Sequence, residues 1–115
     1  MMTLIPKIFY ETMRDGLDLF VDCLGFTVVY RDDKLAVAER DGAKAYLVED
    51  AEFAAKDRPE ITIETDRIDE LYAEISARRP AMLHPNSQKI EKKAWGAREF
   101  AVRDKTDVCV IFRQW

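Results

Sequence analysis

The stretch Trp95-Gly96-Ala97-Arg98-Glu99-Phe100-Ala101-Val102-Arg103-Asp104-Lys105-Thr106-Asp107-Val108-Cys109-Val110-Ile111-Phe112-Arg113 carries two β-rich runs on either side of a polar connection. Arg98 to Arg103 and Val108 to Arg113 flank Asp104 to Asp107, the pattern of a tight antiparallel hairpin. The same device occurs earlier, where Leu35 to Glu39 and Ala43 to Val48 flank Arg40-Asp41-Gly42. Its Asp-Gly pair tolerates the positive φ that short hairpin turns demand. Both hairpins spell Ala-x-Arg-Asp into the turn, at Ala38 to Asp41 and Ala101 to Asp104, which suggests an internal repeat.

Each hairpin is preceded by a strand and a helix. Leu4 to Tyr10 reads as a strand, and Thr12 and Asp15 have the spacing of a reciprocal pair of helix-start caps. Leu17, Phe20, Val21 and Leu24 then make one apolar stripe, and Gly25 stands where a C-terminal cap belongs. Phe26 to Tyr30 is the next strand, turning at Asp32-Asp33. After a linker over residues 49–59 with room for one helical turn, Ile61 to Thr65 matches Ile8 to Thr12. Asp66-x-Ile68-Asp69-x-Leu71-Tyr72-x-x-Ile75 matches Asp15-x-Leu17-Asp18-x-Phe20-Val21-x-x-Leu24 position by position. The stripes predict Phe20 and Tyr72 in a helix–sheet layer and Asp22 on the outer helix face. Met82 to Ala94 has to supply a sixth strand, but Pro85, Asn86 and Ser87 break it, so an irregular segment is expected.

The fold predicted is α+β: two βαβββ modules, about 1–50 and 58–115, forming an eight-stranded curved sheet with one helix per module in a single 115-residue domain. Alternation sends Ile8, Tyr10, Leu47, Ile61, Ile63, Val108, Val110 and Phe112 under the helices. Ile5, Lys7, Phe9, Tyr46, Val48, Glu60, Thr62, Glu64, Cys109, Ile111 and Arg113 go to the opposite face. Aromatic and aliphatic side chains on a face otherwise given to solvent point to a ligand-lining surface or a partner. A single chain of this size cannot enclose a deep cleft, so a homodimer is expected.

Composition narrows the function. With 48% hydrophobic and 35% charged residues the chain is expected to fold throughout, and a net charge of -4 with both signs interspersed offers nucleic acid no basic stripe. A cationic or amphoteric small molecule fits better. No apolar run approaches the roughly 20 residues that span a bilayer, and the start Met1 to Lys7 lacks the pattern of a secretion signal, so a cytoplasmic protein is expected. Cys23 and Cys109 form no CxxC pair and read as small apolar fillers. No phosphate loop, nucleophile elbow or Cys-His pairing is present. Glu60 and Glu64 share a strand face and could form an acid–base pair, though solvated charge explains them as well.

With these motifs in place the chain resembles the vicinal oxygen chelate superfamily, the glyoxalase/bleomycin resistance fold. Leu19 to Phe26, L-F-V-D-C-L-G-F, resembles its F-Y-x-x-x-L-G-F signature. Leu24 to Asp32 and Trp95 to Asp104 look like the L-G-F-x-x-x-[FY]-R-D and W-G-x-R-E-F-A-x-x-D runs of bleomycin resistance proteins. The last hairpin departs from the family's D-P-x-G-N, with Asp104-Lys105-Thr106-Asp107-Val108 in its place. The resemblance implies a homodimer whose crevices sequester a bleomycin-type antibiotic without chemistry, with Phe9, Tyr46, Glu60, Trp95, Ile111 and Arg113 as candidate liners. Trp95 could equally be a corner residue packed beside Gly96. The alternative it implies is a metal-dependent lyase or dioxygenase. The metal positions carried over by motif are Ile5 or Lys7, Tyr46, Glu60 and Ile111, of which only Glu60 could ligate, so neither a metal nor another cofactor nor a catalytic residue is expected. The single histidine, His84, reads as a loop residue.

Overall fold

The β-α-β-β-β order occurs twice, as the repeat predicts. The computed structural model describes residues 2–56 and 58–115; Met1 in the expected start and Asp57 in the expected linker lie outside the described residues. The chain divides into two units, Met1–Arg58 and Pro59–Trp115. The first contains β1 (Lys7–Tyr10), α1 (Met13–Leu17) continuing into wider turns over Asp18–Cys23, β2 (Thr27–Arg31), β3 (Leu35–Arg40), β4 (Ala43–Glu49) and the short α2 (Ala51–Ala54). The second contains β5 (Glu60–Glu64), α3 (Ile68–Arg78), a tight turn at Pro80–Met82, β6 (Glu91–Lys92), β7 (Arg98–Arg103) and β8 (Cys109–Gln114). Each unit builds one four-stranded mixed sheet, in the orders β1-β4-β3-β2 and β5-β8-β7-β6, and the class is α+β. In both, the first strand lies parallel to the fourth and the other pairs are antiparallel.

Both hairpins form. Asp41 and Gly42 take φ of 50° and 87°, the left-handed pair of a two-residue turn. The β7–β8 connection holds without the Pro and Gly of a D-P-x-G-N turn because the buried Asp104 closes it. Asp104 Oδ1 accepts from Thr106 N (2.8 Å), Thr106 Oγ1 (2.7 Å) and Val108 N (3.1 Å), while Asp107 takes a φ of 71°. The shared Ala-x-Arg-Asp spelling does not superpose, however. Ala38 is buried opposite Ala45 on the core face, whereas Ala101 pairs with Ile111 on the open face. The two turns differ in length, and a shift of one residue turns a side chain to the other face.

The helices pack as their stripes require, with two differences. Thr12 precedes α1 but makes no side-chain cap; instead Glu49 Oε2 at the end of β4 accepts from Met13 N at 2.8 Å. In the wider turns the Leu24 N–H reaches the Leu19 carbonyl at 2.9 Å. This buries Leu19 and Cys23 together with Leu17, Phe20 and Leu24, and leaves Val21 half-buried. Gly25, at φ 75°, ends the helix. Gly16 permits close approach to β1, since a Cβ there would stand 2.8 Å from the ring of the buried Tyr10. The regular α3 buries Ile68, Leu71 and Ile75. Tyr72 is only half-buried, edge-on to Phe100 at 5.2 Å.

Alternation across the sheets matches the expected faces. Ile8, Tyr10, Leu47, Val108, Val110 and Phe112 are buried and Ile61 and Ile63 half-buried, while every residue assigned to the opposite face is exposed or half-buried. The first strand is shorter than expected, starting at Lys7. The irregular sixth strand is reduced to the bridge Leu83–Val102 and the two residues of β6. No helix among the described residues is long and apolar enough to cross a membrane.

Candidate functional site

Phe9 and Tyr46 lie on the open face of the first unit. Phe9 pairs with Val48 and Tyr46 with Lys7 in the parallel β1–β4 ladder, and Leu35 of β3 stands opposite Val48. Phe9, Val48 and Leu35 thus form an apolar, half-buried row across three strands. The linker helix α2, whose N-terminus Asp50 caps by accepting from Phe53 N at 3.1 Å, stacks Phe53 on Phe9 with ring centroids 5.0 Å apart. Arg58 donates to the Phe9 carbonyl at 2.6 Å and stands 5.2 Å from the Tyr10 ring centre. One face of Phe9 is therefore already covered from within the unit.

Glu60, Trp95, Ile111 and Arg113 belong to the second unit, where the open face is polar. Glu60 pairs with Cys109 at the start of the parallel β5–β8 ladder, Thr62 with Ile111, and Glu64 with Arg113. Across β8, Arg113 stands opposite Glu99 and Ile111 opposite Ala101. The row that matches Phe9, Val48 and Leu35 under the repeat is Thr62, Ile111 and Ala101, and the next row, Glu64, Arg113 and Glu99, is charged at every place.

Trp95 and Arg113 are brought together through Glu99. This carboxylate is 6% exposed. Its Oε2 accepts from Arg113 Nε at 2.7 Å and from Trp95 Nε1 at 3.2 Å, satisfying a charge that burial would otherwise penalise heavily. Trp95 itself is 57% exposed, in the turn where Gly96 adopts a φ of 98°. It is a corner residue, as one reading of the sequence expected, yet its ring stands in solvent. Trp115 donates Nε1 to Glu64 Oε2 at 2.6 Å, and the Arg113 guanidinium lies 5.8 Å from the centre of its ring. Neither Glu99 nor Trp115 was singled out by the sequence. The available signal for Glu99 was its strand parity, which puts it on the same face as Ala101 and Arg103 and opposite Arg113. On the other face of β7, Arg98 grips Asp69 of α3 through bonds of 2.6 and 3.0 Å, and this hydrogen-bonded guanidinium holds the Asp69 carboxyl below its ordinary range.

The donor set does not suit a catalytic metal. Glu60 is an exposed carboxylate, Ile111 offers no donor, and among the described residues no three His, Cys, Asp or Glu side chains gather into a possible metal site. His84 is half-buried in its loop, with Nδ1 accepting from Asn86 N at 3.1 Å. Cys23 lies in the core and Cys109 is half-buried. Burial pushes the Cys109 thiol up, the Glu60 charge adds to the effect, and Arg103 opposes it, so the thiolate needed for nucleophilic chemistry is disfavoured. What the second unit does offer is two exposed indoles anchored by carboxylates, a surface for stacking and charge recognition.

No established family profile matches the chain. A bleomycin resistance protein of Geobacillus stearothermophilus is 28% identical over 131 aligned positions, spanning 99% of this chain and 97% of the relative. The crystal structure of a bleomycin-binding protein complexed with bleomycin superposes with a TM-score of 0.81 at 16% identity, covering 100% of this chain and 99% of the other. A glyoxalase/bleomycin resistance protein/dioxygenase from Alicyclobacillus acidocaldarius superposes with a TM-score of 0.76 at 13% identity, over 97% of this chain and 89% of the other. At such identities the structural likenesses show the fold.

Proposed function

We propose that this chain, which has the fold of the glyoxalase/bleomycin resistance protein/dioxygenase superfamily, sequesters a small aromatic or cationic compound of the bleomycin type without making or breaking a bond. The observation that carries this reading is the open face of the second unit, where Trp95 stands exposed on the buried Glu99 beside Arg113. Such a surface binds by stacking and charge, and it supplies no nucleophile, metal shell or poised acid–base pair. The half-buried Ile111 extends this lining, with the exposed Glu60 as a further negative charge, and the half-buried Phe9 and Tyr46 offer an aromatic surface of their own on the open face of the first unit. Apolar side chains left open on both sheets support a homodimer in which a partner covers part of them. A cytoplasmic location is part of the same reading.

The test is a thermal-shift and calorimetric titration with bleomycin. A ligand that binds the native state alone raises the midpoint as RT ln(1 + [L]/Kd), so bleomycin is expected to raise it and Trp95→Ala to abolish most of the rise. The protein is expected to keep its midpoint in chelator and to show no lyase or dioxygenase turnover with zinc, nickel or iron(II). A chelator-sensitive midpoint or metal-dependent turnover would reject sequestration in favour of the enzyme.

A further inference from the structure

We infer that Trp115 is a second ligand-stacking residue, and that Trp95 and Trp115, linked through Arg113, form one site selective for a planar aromatic cation. The inference rests on the sequestration reading and adds to it both a residue and a charge class. Every group involved lies in the second unit. Arg113 donates to Glu99, which also accepts from the Trp95 indole, and the Arg113 guanidinium lies against the Trp115 ring. The Trp115 indole is fixed in turn by its bond to Glu64, the ladder partner of Arg113.

An exposed indole can give its N–H to water and is not obliged by burial to find a partner in the protein. Trp115 is 69% exposed and Trp95 57%, yet each spends its single N–H on a carboxylate of the same row. Fixing the rings in this way lowers the ordering entropy a ligand would otherwise have to offset. The guanidinium can cover only one face of the Trp115 ring, leaving the other for a flat partner. Glu64 and Glu99 against Arg113 leave the cluster with one negative charge, and two electron-rich indole faces add to the attraction for a cation.

Proflavine, a planar aromatic cation, and acridone, a neutral planar analogue, are the probes, with bleomycin alongside, and affinities are read by calorimetry and indole fluorescence quenching. The wild-type protein is expected to bind proflavine about tenfold or more tighter than acridone, and Trp115→Ala to weaken proflavine binding about tenfold, the scale of one lost stacking platform. Trp115→Phe, which keeps a ring and loses the N–H, is expected to fall between. Glu64→Gln retains an acceptor for the indole and removes the charge, so it is expected to reduce the preference for proflavine over acridone, the indole faces keeping the remainder. Both positions are exposed, and an unaltered melting midpoint will show that the variants fold. Wild-type affinity in Trp115→Ala, or a charge preference undiminished in Glu64→Gln, overturns the inference. Bleomycin binding that Trp95→Ala abolishes and Trp115→Ala leaves untouched overturns it alone. A wild-type protein that binds neither bleomycin nor proflavine overturns the sequestration reading as well.

Discussion

The two units have one strand order and two different open faces. Across the first three strands of each sheet, the row Phe9, Val48 and Leu35 of the first unit is apolar throughout and its counterpart Thr62, Ile111 and Ala101 keeps two apolar places, whereas the next row of the second unit, Glu64, Arg113 and Glu99, is charged throughout. Their helices differ in the same spirit. Shifting the first stripe by 51 residues (Asp66 on Asp15) sets the buried Leu17, Phe20 and Leu24 on the buried Ile68, Leu71 and Ile75. It also sets the buried Leu19 and Cys23 on Glu70, which is exposed, and Glu74, which is not buried. The repeat therefore fixes the positions that fill the helix–sheet layer and leaves the others free. Where a unit adds apolar residues beyond the shared stripe, its helix widens to bury them.

The largest test of that comparison lies in the shared layer. Phe20 is fully buried and packs edge-on to Phe26 with centroids 5.5 Å apart, so Phe20→Ala is expected to destabilise by roughly 3–5 kcal/mol through the cavity it leaves. Tyr72 falls on Val21 under the same shift, and both are half-buried. Tyr72→Ala is therefore expected to lose about half as much, around 2 kcal/mol. Denaturant unfolding of the two variants measures the difference. Equal losses would mean that the widened first helix is not packed differently from the second.

A smaller effect is expected where the faces diverge. Glu99→Ala removes a buried carboxylate and strands Arg113, whose side chain is 27% exposed. Removing one partner of a fully buried ion pair costs about 3–5 kcal/mol, and access of Arg113 to water reduces this to about 2 kcal/mol. Leu35, the residue opposite Val48 in the first unit, has no such dependence. Chemical denaturation of Glu99→Ala at low and high salt would measure the loss. A change within about 0.5 kcal/mol would show that the charged row is a solvated surface rather than a fixed constellation.

The order of elements, both hairpins, the buried alternation and the broken sixth strand were legible because each rests on local chemistry: turn residues, period-two patterning and Pro85. The polar Asp104 to Asp107 turn was legible for the same reason, since Asp107 accepts a left-handed φ and Asp104 closes the loop. The widening of the first helix was hidden. Leu19 and Cys23 fall outside an i, i+3, i+4 stripe, and only packing reveals that five turn-separated side chains share one interior. The Thr12 cap was misread because Glu49, distant in sequence, supplies the acceptor instead. Among the site residues, pattern assigned Phe9, Tyr46, Glu60, Ile111 and Arg113 to open faces, but pattern carries no pairing. That Glu99 joins Trp95 to Arg113, and that Trp115 bonds Glu64, depend on which strands are neighbours.

The least effect is expected at the outer helix face, where the comparison can be sharpened by making one unit resemble the other. Asp22 pairs with Arg14 on the surface of the first helix, with side chains 39% and 65% exposed. Its counterpart under the shift of 51 is Ala73, exposed on α3, so the second unit already carries alanine there. An exposed ion pair contributes at most about 1 kcal/mol, and alanine returns part of that as helix propensity. Asp22→Ala is therefore expected to change stability by less than about 0.5 kcal/mol, with an unfolding slope against denaturant identical to that of the wild-type protein. A loss comparable to that of Tyr72→Ala would place Asp22 in a structural role peculiar to the widened helix. The equivalence of the two outer faces would then fail even though the buried stripes agree.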